Sequence, residues 1–182
     1  MEDRAPQKRT AWSVQELVLL AVLATLLMLQ KEILSFAPNI SLTGLLILLY
    51  AKCLGFGRTA VIMVVYILLD SMLWASLHPI FTTAQWIGWM LGPALYCTVF
   101  KKTENSLVLA AAAALAAFLY CWVMIVPTAL LYTNQIGTLG AYILTDIPWE
   151  LILALCSFVT VLLLYEPLSG LLRKLLAGLR QP

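Results

Sequence analysis

The chain has 182 residues, of which 63% are hydrophobic and 11% charged, and its formal net charge at pH 7 is +2. Soluble domains run at about 45–50% apolar and roughly 25% charged residues. A soluble core of this length cannot hide so much apolar surface, so composition excludes a water-soluble domain and makes lipid the solvent. The predicted fold class is an all-α integral membrane protein, a single bundle with no separate soluble domain.

In chain order, residues 1–14 read as a cytoplasmic N-terminal segment carrying Arg4, Lys8 and Arg9. Basic residues ahead of an apolar run resemble a signal peptide. No small-x-small cleavage site follows, however, and Gln30, Lys31 and Glu32 stand there instead. The run is therefore kept as the first helix, Gln15 to Phe36. The second, Leu42 to Leu54, is short against the ~20 residues of an ideal span. It is expected to be tilted or partly re-entrant, which is allowed only where its ends are covered by protein or face water. A Gly55-Phe56-Gly57 turn leads to the third helix, Arg58 to Leu77, and His78-Pro79 breaks the chain. The fourth helix is Ala84 to Phe100 and the fifth Ser106 to Tyr132. Thr133 to Asp146 form a loop or partial helix before the sixth, Ile147 to Tyr165. Glu166-Pro167 is expected to end it. The membrane domain is thus residues 15–165, and 166–182 form a basic amphipathic tail.

Six spans with the N-terminus inside put ten of the eleven Lys and Arg residues on the cytoplasmic side, leaving only Lys31 outside. By the positive-inside rule both termini are then cytoplasmic. The polar and aromatic residues gather at the outer ends of the helices, and the tail, with Arg173, Lys174 and Arg180, is expected on the anionic inner leaflet.

Several outer residues are candidates for a ligand site. Lys31 and Glu32 either snorkel to water or line an outward-facing pocket; they point about 100° apart, so only one need face the bundle. Asp146 and Glu150 share a helix face. Asp146 reads equally as an N-cap beside Pro148, and Glu150 as an acid favouring the positive helix end. Asp70, flanked by Tyr66 and Trp74, is a deeper acid with no obvious cation beside it. His78 stands at the outer break, near Gln85. Trp86 and Trp89, with Gly88 between them, offer aromatic walls for a ring-containing ligand, and Trp149 lies at the start of the sixth helix. Ala21, Ala24 and Thr25 form a small-residue stripe on the first helix, suited to close packing within the bundle or against another membrane protein.

The four cysteines show neither CxxC spacing nor a His partner and read as small buried hydrophobes. The chain carries no Walker motif, no His-Glu-x-x-His and no Gly-x-Ser-x-Gly. No enzyme, cofactor, metal site or nucleic-acid partner is expected. No second half resembles the first, which disfavours an inverted-repeat transporter.

The stretches LLAVLATLL, QKEILSFAPNISLTGLLILLY, LGFGRTAV, TDIPWE and LLLYEPLSGLLRKLL, in this order, resemble the substrate-binding S components of energy-coupling factor (ECF) transporters. The resemblance spans about Ser13 to Leu176 and is nearest a little-characterised branch. It implies a six-helix prokaryotic plasma-membrane protein, without ATPase activity, that captures a vitamin or similar micronutrient outside the cell. The ligand would lie under the loop Ser35 to Ser41, between the first two helices, where Pro38-Asn39 shapes a gate. Delivery would need a membrane scaffold and two ABC ATPases, with Ala21 and Thr25 contacting the scaffold. The stripe departs from the family's Ala-x-x-x-Ala in having Thr at the second position. The competing readings are a stand-alone transporter or channel, coupled through Asp70, Asp146 and Glu150, and a structural subunit that binds no small ligand.

Overall fold

The computed structural model describes residues 13–73, 78–132 and 136–179. Among them the chain is all-helical, with six helices and no strand. Helix α1 (Val14–Ile33) opens with a capping box, in which Ser13 Oγ accepts from the Glu16 N–H and the Glu16 carboxylate accepts from the Ser13 N–H. Helix α2 (Thr43–Leu54) has only twelve residues, about 18 Å at 1.5 Å per residue, against a hydrocarbon thickness of ~30 Å. It touches all five other helices and buries nine of its residues, from Thr43 to Leu54. A polar-ended short helix survives in lipid when protein covers it, and α2 is the central post of the bundle.

Several helix boundaries differ from the sequence expectation. Gly55 alone separates α2 from α3 (Phe56–Leu73), so Phe56 and Gly57 belong to the first turn of α3 and not to a longer turn. Gly55 has φ 83°, a left-handed conformation that a side chain would strain. Its carbonyl accepts from both the N–H and the hydroxyl of Thr59. Helix α4 (Pro79–Thr98) begins at Pro79, not at Ala84. His78-Pro79 is a helix start, because proline suits the first turn, where its missing N–H is not needed. Helix α5 (Ser106–Tyr132) matches expectation, with Asn105 Oδ1 accepting from the N–H of Leu107.

The largest departure is α6 (Ile136–Leu179), which runs 44 residues through both Pro148 and Pro167. Neither Asp146 nor Glu166-Pro167 is a helix boundary. A proline inside a helix loses one backbone bond and costs ~3 kcal/mol. In lipid a full chain break would expose more unpaired backbone groups, so prolines within helices are tolerated there. At about 66 Å, α6 is twice the hydrocarbon thickness. One face of it, Glu150, Leu153, Ser157, Val161, Tyr165, Ser169 and Leu172, repeats every three or four residues and is buried.

Segments Phe56–Leu73, Ser106–Leu131 and Leu139–Gly178 are long and apolar enough to cross a membrane, and α2 is apolar but shorter. The protein is thus a helical membrane protein. Side-chain links give the helix directions. Glu16–Arg58 (2.6 Å) joins the starts of α1 and α3, and Lys31–Asp70 joins their ends. Lys52, ending α2, donates to the carbonyls of Phe100, Lys101 and Thr103 beyond α4, the last at 2.7 Å. Ser106 at the start of α5 donates to Glu166 in α6, and Arg173 pairs with Glu104. Successive helices therefore alternate in direction. One end of the bundle carries Lys52, Arg58, Lys101 and Arg173; the other carries the α1–α2 loop.

Candidate binding cleft

Residues 34–42, between α1 and α2, roof one end of the bundle. The loop is built from short turns, with Ala37 N–H donating to Leu34 C=O and Ile40 N–H to Ala37 C=O. Asn39, at φ 60°, occupies the left-handed region that asparagine tolerates better than most residues. Its amide donates to the Trp149 carbonyl of α6 at 2.8 Å, and the Cys156 thiol, also on α6, donates to the Ser41 carbonyl at 3.3 Å. On the α1 side, Gln30 clamps the start of α2. Its Oε1 accepts from Leu42 N–H (2.7 Å) and its Nε2 donates to Thr43 Oγ1 (2.8 Å).

Beneath this roof lies a cleft of ≈ 400 Å³, within the usual 300–1,000 Å³ of small-molecule sites. Loop residues Ser35 to Ser41 form its upper wall, with Phe36 the exception. Lys31 and Thr43 flank it, and Tyr66, Gln85, Trp89, Tyr120 and Leu153 reach it from α3, α4, α5 and α6. The Trp89 and Tyr120 rings stack with centroids 4.0 Å apart and 22° between planes. Gly88 allows this approach, since a Cβ there would stand 2.9 Å from Tyr120 Cδ2.

The fold supplies the cation that the sequence lacks beside Asp70. Lys31 Nζ, 39 residues earlier on α1, donates to Asp70 Oδ1, and Gln85 Nε2 donates to Oδ2 at 2.8 Å. The Asp70 side chain is 7% exposed and that of Lys31 36%. The acid is therefore enclosed behind a lysine that still reaches the cleft.

Among the sequence candidates, Lys31, Asn39, Gln85 and Trp89 come together on the cleft, with Asp70 directly behind Lys31. The others are elsewhere. Glu32 is half-buried beside Lys31 and contributes its carbonyl to Ser35. Trp86 is exposed, because it is turned about 100° from Gln85 while Trp89 lies a full turn below it. The aromatic wall is thus Trp89 with Tyr120, not Trp89 with Trp86. Trp149 offers its backbone carbonyl while its ring is exposed. His78 precedes α4 without capping it and lies edge-on to Phe81, its Nδ1 buried without a partner. Asp146 and Glu150 lie within α6, ten and more residues past its start, so Asp146 is not an N-cap and Glu150 is not beside the positive end of the helix. Glu150 is buried, with the Trp122 side chain of α5 facing its carboxylate. Trp74 lies outside the described residues. On α1 the small-residue stripe divides: Ala24 is in the core, while Ala21 and Thr25 are exposed, with Thr25 Oγ1 donating to Ala21 C=O.

Sequence reasoning missed Gln30, Thr43 and Tyr120. Gln30 was visible as a polar residue one position before Lys31, but its partners at the start of α2 depend on the loop closing back. Tyr120 lies in the uniformly apolar α5, where nothing local marks it.

No family model, curated protein or solved structure matches the chain.

Proposed function

We propose that the chain is the substrate-binding component of an ECF-type importer in a prokaryotic plasma membrane, with six spans and both termini cytoplasmic. It captures a vitamin-like small molecule at the outer face and passes it inward with a membrane scaffold and two ABC ATPases. One observation carries the reading: a loop-roofed cleft of ligand size at one end of the bundle, with the basic residues at the other. Positive charge favours the cytoplasmic side, so the cleft opens outward, as capture requires. The α1–α2 roof, tied to α6 through Asn39, suits a loop that opens and closes over a ligand.

Docking to the scaffold is assigned to the exposed face of α1, with Ala21 and Thr25 flanked by Val18, Val22 and Leu29. Ala24 is not part of that face, because it is 1% exposed within the bundle. Ala21→Trp and Thr25→Trp are each expected to abolish copurification with coexpressed scaffold and ATPases while ligand binding is retained. Undiminished copurification in both variants contradicts the docking assignment.

A stand-alone transporter is the second reading, favoured by Glu150. A carboxyl buried in a membrane helix and facing Trp122 of α5 suits a coupling site. That reading requires gradient-driven uptake into liposomes containing this chain alone, whereas the first requires the partners and ATP.

A further inference from the structure

Four acids and Lys31 stand near the outer face in the sequence, and the fold decides which of them reach the cleft. Among the described residues Lys31 is the only charged side chain lining it. Asp70 is behind Lys31, with its two oxygens taken by Lys31 and Gln85. Glu32, Asp146 and Glu150 are not on the lining.

Resting on the capture reading above, we infer that the ligand is a small monoanion carrying a carboxylate and a flat ring. The carboxylate lies between Lys31 and the first turn of α2, and the ring lies against the Trp89–Tyr120 pair. An ammonium group has three donors; Asp70 takes one of Lys31's, and the rest of the group reaches the cleft, the side chain being 36% exposed. The start of α2 adds to the positive field. This twelve-residue helix has no side-chain cap at its N-terminus, and Thr43 of its first turn lines the cleft. The positive end of a helix favours an anion, and its first N–H groups are donors in need of acceptors. One lysine, already shared with Asp70, and one helix end match a monoanion better than a dianion. An amine would meet Lys31 as a like charge and find no free acid. Trp89 and Tyr120 both line the cleft, each with one ring face taken by the other, so a planar group is received by an outer face or edge of the pair.

The test uses three probes with one ring, indole-3-acetate, indole-3-acetamide and tryptamine, titrated calorimetrically into the detergent-solubilised full chain at pH 7. The acetate is expected to bind at least ten-fold more tightly than the amide, and the amine most weakly. Lys31→Gln, which keeps a donor for Asp70, is expected to erase the difference between acetate and amide in a protein that stays folded but melts earlier, because the buried Asp70 loses its counter-charge. Trp89→Leu is expected to weaken all three by a similar factor and keep their order. An amine that binds as well as the acetate, or a preference for the acetate that survives Lys31→Gln, overturns the inference and leaves the capture reading standing. Failure of all three to bind the wild type overturns the assignment of ring and carboxylate. The capture reading then rests on a separate readout, the ligand released from the purified protein.

Discussion

Asp70→Ala is expected to lower the unfolding free energy of the detergent-solubilised protein by about 2–4 kcal/mol, measured against denaturant or as a fall in melting temperature. Removing one partner of a buried ion pair typically costs 3–5 kcal/mol, because it leaves the other charge uncompensated. The lower figure applies because the Lys31 side chain is 36% exposed and regains some water from the cleft. The substitution also strands Gln85 Nε2, which donates to Asp70 Oδ2 at 2.8 Å. Asp70→Asn keeps an acceptor for Gln85 and should cost about half as much. The double variant Lys31→Met, Asp70→Leu tests the argument. With both charges gone it should recover the part of the loss due to the uncompensated lysine, since apolar replacements of buried pairs are often neutral, while Gln85 stays stranded, and yet it should not bind an anionic ligand. If Asp70→Ala is as stable as the wild type, the pair does not hold α1, α3 and α4 together at the cleft.

The second large effect is expected at the crossing of α2 and α6. A Cβ on Gly44 would stand 2.5 Å from Ser157 Oγ and 3.0 Å from Ser157 Cβ. Rotation of the hydroxyl relieves the first contact only, so the helices have to separate. Overpacking of this kind costs about 1–3 kcal/mol. Gly44→Ala is therefore expected to melt earlier, and Gly44→Val earlier still. Ser157→Gly should rescue Gly44→Ala, because it removes both clashing atoms. Ser157 Oγ is buried without a hydrogen-bond partner, so its loss strands nothing. Absence of rescue would mean that the clash lies elsewhere. Close approach through small residues drives helix association in lipid, and α2 depends on it because it is too short to be held by length.

How far the sequence revealed this fold varies by element, for physical reasons. Apolar runs bounded by Gly, Pro and charges located α1, α2 and α5 to within a few residues, since lipid demands long apolar helices and little else. The same punctuation misled at α6. Pro148 and Pro167 stop helices in water, but here they lie inside a 44-residue helix. At the cleft, Lys31, Asn39, Gln85 and Trp89 stood out as polar or aromatic residues near helix ends. Their grouping was not legible, because Lys31 meets Asp70 across 39 residues and Asn39 meets Trp149 across 110. Tyr120 gave no signal at all, since an aromatic residue among apolar ones looks the same facing lipid as facing a cleft. Nor did acidic content indicate ligand charge, because an acid counts only where its oxygens are free. Asp70, the acid behind Lys31, has both oxygens engaged.

Capture of a ligand is the claim on which the rest depends, and mass spectrometry of small molecules released from the purified detergent-solubilised protein tests it most directly. The account predicts one compound, near one per chain, with a flat ring and a single carboxylate, and its absence from the Lys31→Gln protein prepared in the same way. A wild-type protein that emerges empty from cells grown in rich medium, and binds nothing when the concentrated medium is returned to it, would contradict capture and move the weight to a partner-free transporter or a structural subunit.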